Sequence, residues 1–132
     1  MGIVEFLEAR IAEDEAVAKN VASAGEWTSG STYGMFVSVE ARCGTVVSGE
    51  WERQDANHIA RHDPARVLRE VAAKRAIIEA ADEASDLDMS IDNDRRVGRR
   101  DMTEEPYLGD VILRALAASY ADHPDFDEEW RP

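Results

Sequence analysis

Cysteine is nearly missing from this sequence of 132 residues, and cations are scarce. The single thiol, Cys43, has no partner for an intramolecular disulfide, so the fold does not depend on an oxidising compartment. Fifteen Lys and Arg face twenty-eight Asp and Glu, a formal net charge of −13. Phosphates are held by clustered cations, so this balance excludes a nonspecific binder of DNA, RNA or anionic membranes. No apolar run approaches the roughly 20 residues of a membrane-spanning helix. The opening MGIVEFLEARIAEDE is acidic and amphipathic, unlike the basic start and apolar run of a signal peptide. Glycine-rich phosphate loops of the P-loop or dinucleotide type are absent, which leaves nucleotide binding without support. There is no internal repeat. What remains is globular composition, 44% hydrophobic and 33% charged, sized for a single domain over 1–132. The expectation is a soluble cytoplasmic protein.

Ile3, Val4, Leu7, Ile11, Val17, Ala18 and Val21 recur at helical spacing between acidic residues, predicting an amphipathic helix from about Ile3 to Ala22. Gly25 to Ser31 reads as a loop by composition. Alternation of Met35, Val37 and Val39 with Phe36, Ser38 and Glu40, then Thr45 to Val47, predicts two strands joined at Cys43-Gly44. Gln54 to His62 reads as a short helix. Asp63-Pro64 restarts the chain, with aspartate as the cap and proline at the first helical position. The helix that follows is predicted to run to about Ala84, then a long polar charged loop over 85–105, then a last helix from about Tyr107 to Tyr120. The predicted core joins Leu7 and Ile11 to Leu68, Val71 and Ile78, closed by Val111, Ile112 and Leu116. The expected class is α+β: a mostly helical single domain of about four helices and one two-stranded antiparallel hairpin.

Few residues point to chemistry. His58 and His62 are four apart, so a helix presents both rings from one face, the spacing zinc sites use. His123 and Asp63 are the residues available to complete such a set. A metalloprotease helix needs glutamate directly after the first histidine, and Ile59 stands there instead. The competing reading leaves His58, His62 and His123 apart, bonded to carboxylates or backbone. Asp86 to Asp94 superficially suggests a calcium loop, but Ile91 and Val97 occupy the places that need glycine and glutamate. Cys43 at a hairpin turn lacks the basic or helix-terminal setting of a nucleophile. Arg95, Arg96, Arg99 and Arg100 form the one dense basic element, diluted by Asp92, Asp94 and Asp101.

Two stretches are distinctive as they stand. One is His58-Ile59-Ala60-Arg61-His62-Asp63-Pro64-Ala65-Arg66-Val67-Leu68-Arg69-Glu70 and onward to Arg75. The other is Leu113-Arg114-Ala115-Leu116-Ala117, then Tyr120-Ala121-Asp122-His123-Pro124 and Glu129-Trp130-Arg131-Pro132. With the amphipathic first helix they resemble a family of small uncharacterised proteins, a domain of unknown function, from actinobacteria and their phages. The resemblance implies lineage rather than a reaction. Some relatives carry cysteines between the third and last helices, and Ser85 to Glu105 has none.

Two functional expectations follow. The first is a non-enzymatic, phage-encoded protein that binds a host or phage protein, its acidity steering it toward basic surfaces. An acidic DNA mimic is one form of that idea. The second is a metal-binding enzyme or metal-stabilised module using His58, His62 and His123, with zinc as the ion. No cofactor is otherwise expected, nor direct contact with nucleic acid or membrane.

Overall fold

The structure is a computed structural model that describes residues 1–50, 52–94 and 106–132. Arg95, Arg96, Arg99, Arg100 and the rest of 95–105 lie outside the described residues. The elements run α1 (Ile3–Lys19), β1 (Trp27–Tyr33), β2 (Phe36–Ala41), β3 (Val46–Glu50), α2 (Arg53–Arg61), α3 (Pro64–Asp94) and α4 (Leu108–Ala117). Two 3-10 turns follow, Ala118–Tyr120 and Glu128–Trp130. The α+β class holds. No helix among the described residues is long and apolar enough to cross a membrane.

Contacts divide the chain into two compact units, a central one of Ala12–Ala72 and a terminal one of Met1–Ile11 with Ala73–Pro132. In the central unit the strands form one antiparallel sheet in the order β1-β2-β3. The expected two-stranded hairpin is therefore a three-stranded sheet. The segment read as a loop, Trp27-Thr28-Ser29-Gly30-Ser31, is most of β1, with Thr28 opposite Glu40 and Ser29 opposite Val39. Its residues show no apolar alternation, so its strand conformation comes from the ladder offered by β2 rather than from its own pattern. Gly34 (φ +58°) and Gly44 (φ +83°) supply the left-handed positions of the two turns. Every second residue of β2 points one way, and Val37 and Val39 are buried against Ala56 and Ala60 of α2. Trp27, Val47 and Ile59 close the edges of that core. A short sheet is stable only when one face is covered in this way.

In the terminal unit Phe6, Leu7, Ile11, Ile78, Ala81, Leu113 and Ala117 are buried. The predicted face of α4 is wrong by about one residue. Val111 is 46% exposed, and Gly109, Leu113 and Ala117 are the residues turned inward. The cause is size: a Cβ at Gly109 would overlap the carbonyl oxygen of Ala81 and the Ser85 hydroxyl. The small residue lets α4 approach α3 more closely than a leucine stripe would. Helix α3 also outlasts its predicted end at Ala84 by ten residues, so 85–94 is helix rather than loop. No glycine or proline interrupts 65–97, and polarity alone does not stop a helix. Asp88, inside the extension, accepts the Leu108 amide at 3.1 Å and serves the first turn of α4.

The C-terminal segment is held to α1 by rings. Phe6, fully buried, has Trp130 at 5.0 Å, His123 at 5.8 Å, Phe126 at 6.0 Å and Tyr120 at 6.3 Å between centroids. The Tyr120, His123 and Phe126 contacts are edge-on, the arrangement favoured by ring quadrupoles. Lys74 donates to the Tyr120 hydroxyl at 2.8 Å.

Candidate functional site

The central unit contains an open cleft of about 250 Å³ lined by Asp14, Val17, Ala18, Val21, Trp27, His62, Pro64 and Val67. Its wall near α3 is built from the Asp63-Pro64 junction. The Asp63 carboxylate accepts the Arg66 amide at 2.6 Å, and its carbonyl accepts the Val67 amide at 3.1 Å. Pro64 has no amide hydrogen, and the Ala65 amide donates to Gly25 O at 3.3 Å. All the orphan donors of the first turn are thereby satisfied, as the sequence reading of this dipeptide requires. The second Asp63 oxygen accepts the Trp27 amide at 3.2 Å, tying the start of β1 to the same cap. Trp27 Nε1 donates to Ser23 O at 2.8 Å, which leaves the indole faces as apolar surface.

Asp63 is 7% exposed, so its loss is felt inside the protein. Asp63→Ala removes a helix cap and leaves the Trp27 amide without its acceptor, an expected cost of about 2–3 kcal/mol. Asp63→Asn retains an acceptor oxygen and is expected to cost less. Urea unfolding of the three proteins checks this, and equal midpoints for Asp63→Ala and the parent would refute the cap.

The size and lining of the cleft decide what it suits. Small-molecule pockets usually hold about 300–1,000 Å³ and bury most of the ligand. This one is smaller and open, and suits one or two apolar side chains. Val17, assigned to the apolar stripe of α1 by its spacing, is 73% exposed at its edge. Nothing in the sequence marks Trp27, Pro64 and Val67 as cleft residues. The available signal was a tryptophan in a polar stretch, which reads equally well as core.

His58 and His62 do present their rings together, with centroids 4.4 Å apart, and both residues are exposed. His62 Nδ1 donates to the His58 carbonyl at 2.9 Å, which directs Nε2 outward. His123 belongs to the terminal unit, where its Nδ1 accepts from Arg10 Nη1 at 2.7 Å and from the Asp125 amide at 3.1 Å. Among the described residues, no three His, Cys, Asp or Glu side chains come together as a metal-ligand group. Asp63 is engaged as a cap. Cys43 is exposed beside Thr45, whose hydroxyl lies 3.2 Å from the sulfur and holds the thiol below its usual range.

No curated protein and no solved structure matches this chain. One family model covers it from residue 1 to residue 132, under the description of a family of unknown function. The protein belongs to that family, DUF6221.

Proposed function

We propose that this is a non-enzymatic binding protein, phage-encoded and acting in the cytoplasm of an actinobacterial host, that holds a host or phage protein through the cleft of its central unit. The observation that carries this reading is the open apolar cleft, with Val17 exposed at its edge and the Trp27 ring in its wall. The resemblance to proteins of actinobacteria and their phages supplies the setting. Covering an exposed valine contributes about 1–2 kcal/mol of apolar burial, so one such contact changes affinity by about tenfold. The net charge of −13 favours basic partner surfaces and speeds encounter at low salt.

The test is affinity capture from host lysate with the parent protein and with Val17→Asp, which alters an exposed position of the cleft. A protein retained by the parent and lost with Val17→Asp, and then bound in purified form, is the expected result. An identical set captured by both would remove the cleft from the reading. Zinc analysis of the same purified protein separates this reading from a metal site at His58 and His62. Stoichiometric zinc lost in His58→Ala would favour the metal.

A further inference from the structure

Helix α3 carries two apolar stripes, and only one of them is buried. Ile78 is 5% exposed and Ala81 fully buried, on the side that receives Gly109 of α4. The second stripe is Ala73, Ile77, Ala80, Ala84, Leu87 and Ile91, all within the terminal unit. Its successive spacings are four, three, four, three and four residues, the alternation of a coiled-coil seam. Ile77 is 41% exposed, Leu87 62% and Ile91 38%. The seam extends for about 27 Å at 1.5 Å per residue, which matches a partner helix of several turns.

Past Lys74, which takes e beside Ala73 and donates to the Tyr120 hydroxyl, its rim is of one sign. Glu79, Glu83 and Asp86 are exposed along one side of the seam, and no Lys or Arg occurs from Ala76 to Asp94. With Ile77, Ala84 and Ile91 at the a positions and Ala73, Ala80 and Leu87 at d, Glu83 takes g and Asp88 takes e. A parallel second copy would set Glu83 against Asp88 of its mate, and an antiparallel copy would set Glu83 against Glu83. Like charges at these positions disfavour pairing, whereas opposite charges select the partner. Self-association is thus opposed in the parallel orientation. The antiparallel one would also bring Lys74, at e, to Asp88 of the mate, but Lys74 is already engaged with the Tyr120 hydroxyl and Asp88 with the Leu108 amide.

We propose that this seam of α3 is a docking face for one amphipathic helix of another protein, apolar along its centre and carrying Lys or Arg at its flanks. The seam shares no residue with the cleft and stands on its own observations. A helix laid on an exposed apolar stripe gains affinity from its a and d side chains, and its flanking charges give orientation and encounter rate.

The experiment titrates the full-length protein into two labelled synthetic heptad peptides of matching length, with Ile and Leu at a and d. One carries Lys at e and g, the other Glu. The Lys peptide is expected to bind at least about tenfold more tightly than the Glu peptide, and to weaken as salt rises. Leu87→Glu should remove that binding with the thermal transition unchanged, because Leu87 is exposed. Glu83→Lys, also at an exposed position, should shift the preference toward the Glu peptide. Equal affinity for both peptides, or binding indifferent to Leu87→Glu, overturns the proposal. A dimer of the protein alone that Leu87→Glu returns to monomer also overturns it, by giving the seam to a second copy. Loss of capture in Val17→Asp with peptide binding intact would assign the two surfaces separately.

Discussion

Phe6→Ala is expected to cost about 3–5 kcal/mol and to loosen the C-terminal segment before the rest of the chain unfolds. Phe6 is fully buried, and four rings from the last thirteen residues of the chain surround it. Truncation removes the transfer energy of the ring and opens a cavity that Tyr120, His123, Phe126 and Trp130 must fill by moving. Arg10 loses a surface as well, since its guanidinium carbon lies 5.5 Å from the Phe6 ring centre. A helix made of α1 alone would not notice the change, so the measurement must report on the tail. Limited proteolysis read by mass spectrometry does so: cleavage after Tyr120 or Phe126 should accelerate sharply in Phe6→Ala. Unchanged cleavage together with an unchanged urea midpoint would mean that the rings do not hold the segment.

Gly109→Ala should destabilise by about 2–3 kcal/mol, against what helix propensity alone implies. In an open helix the same substitution gains roughly 1 kcal/mol, because alanine loses less backbone freedom than glycine. Here the added methyl has no room. It would overlap the Ala81 carbonyl oxygen and the Ser85 hydroxyl, and stand 2.8 Å from the Ala81 carbonyl carbon. Two of those atoms are backbone in the middle of α3, so the helices must separate. Separation also removes contact from Leu113 and Ala117, the buried residues of the same face. Denaturant unfolding of both proteins decides between the effects. A variant as stable as the parent, or more so, would show that α4 is not seated on α3 through Gly109.

Parts of this structure are legible in the residues because their causes are local. Asp63-Pro64 announces the start of α3, since a carboxylate beside a missing amide hydrogen satisfies a first helical turn in almost any context. The Cys43-Gly44 turn is legible for the same reason: Gly44 adopts a positive φ that other residues avoid. His58 and His62 share a face because helical pitch requires it, and their rings lie together. The course of α3 beyond Ala84 is not legible in the same way, because the polar residues of 85–94 suit a loop and a solvated helix equally.

The sequence by itself determined the class of fold, the junction at Asp63, the turn at Gly44 and the lack of any membrane-spanning apolar run. Each depends on a residue and its nearest neighbours along the chain. Tertiary structure alone decided that Trp27–Tyr33 is a strand, because its hydrogen bonds come from β2 and its own side chains carry no alternation. It decided the buried face of α4 as well, since Gly109 matters only when another helix backbone lies against it. It also gave the histidines their neighbours, placing the His58 and His62 rings side by side and Arg10 against His123. Spacing in sequence fixes which groups share a helix face. Which groups meet across the chain is fixed by packing, and packing turns on fit among residues that a local pattern does not contain.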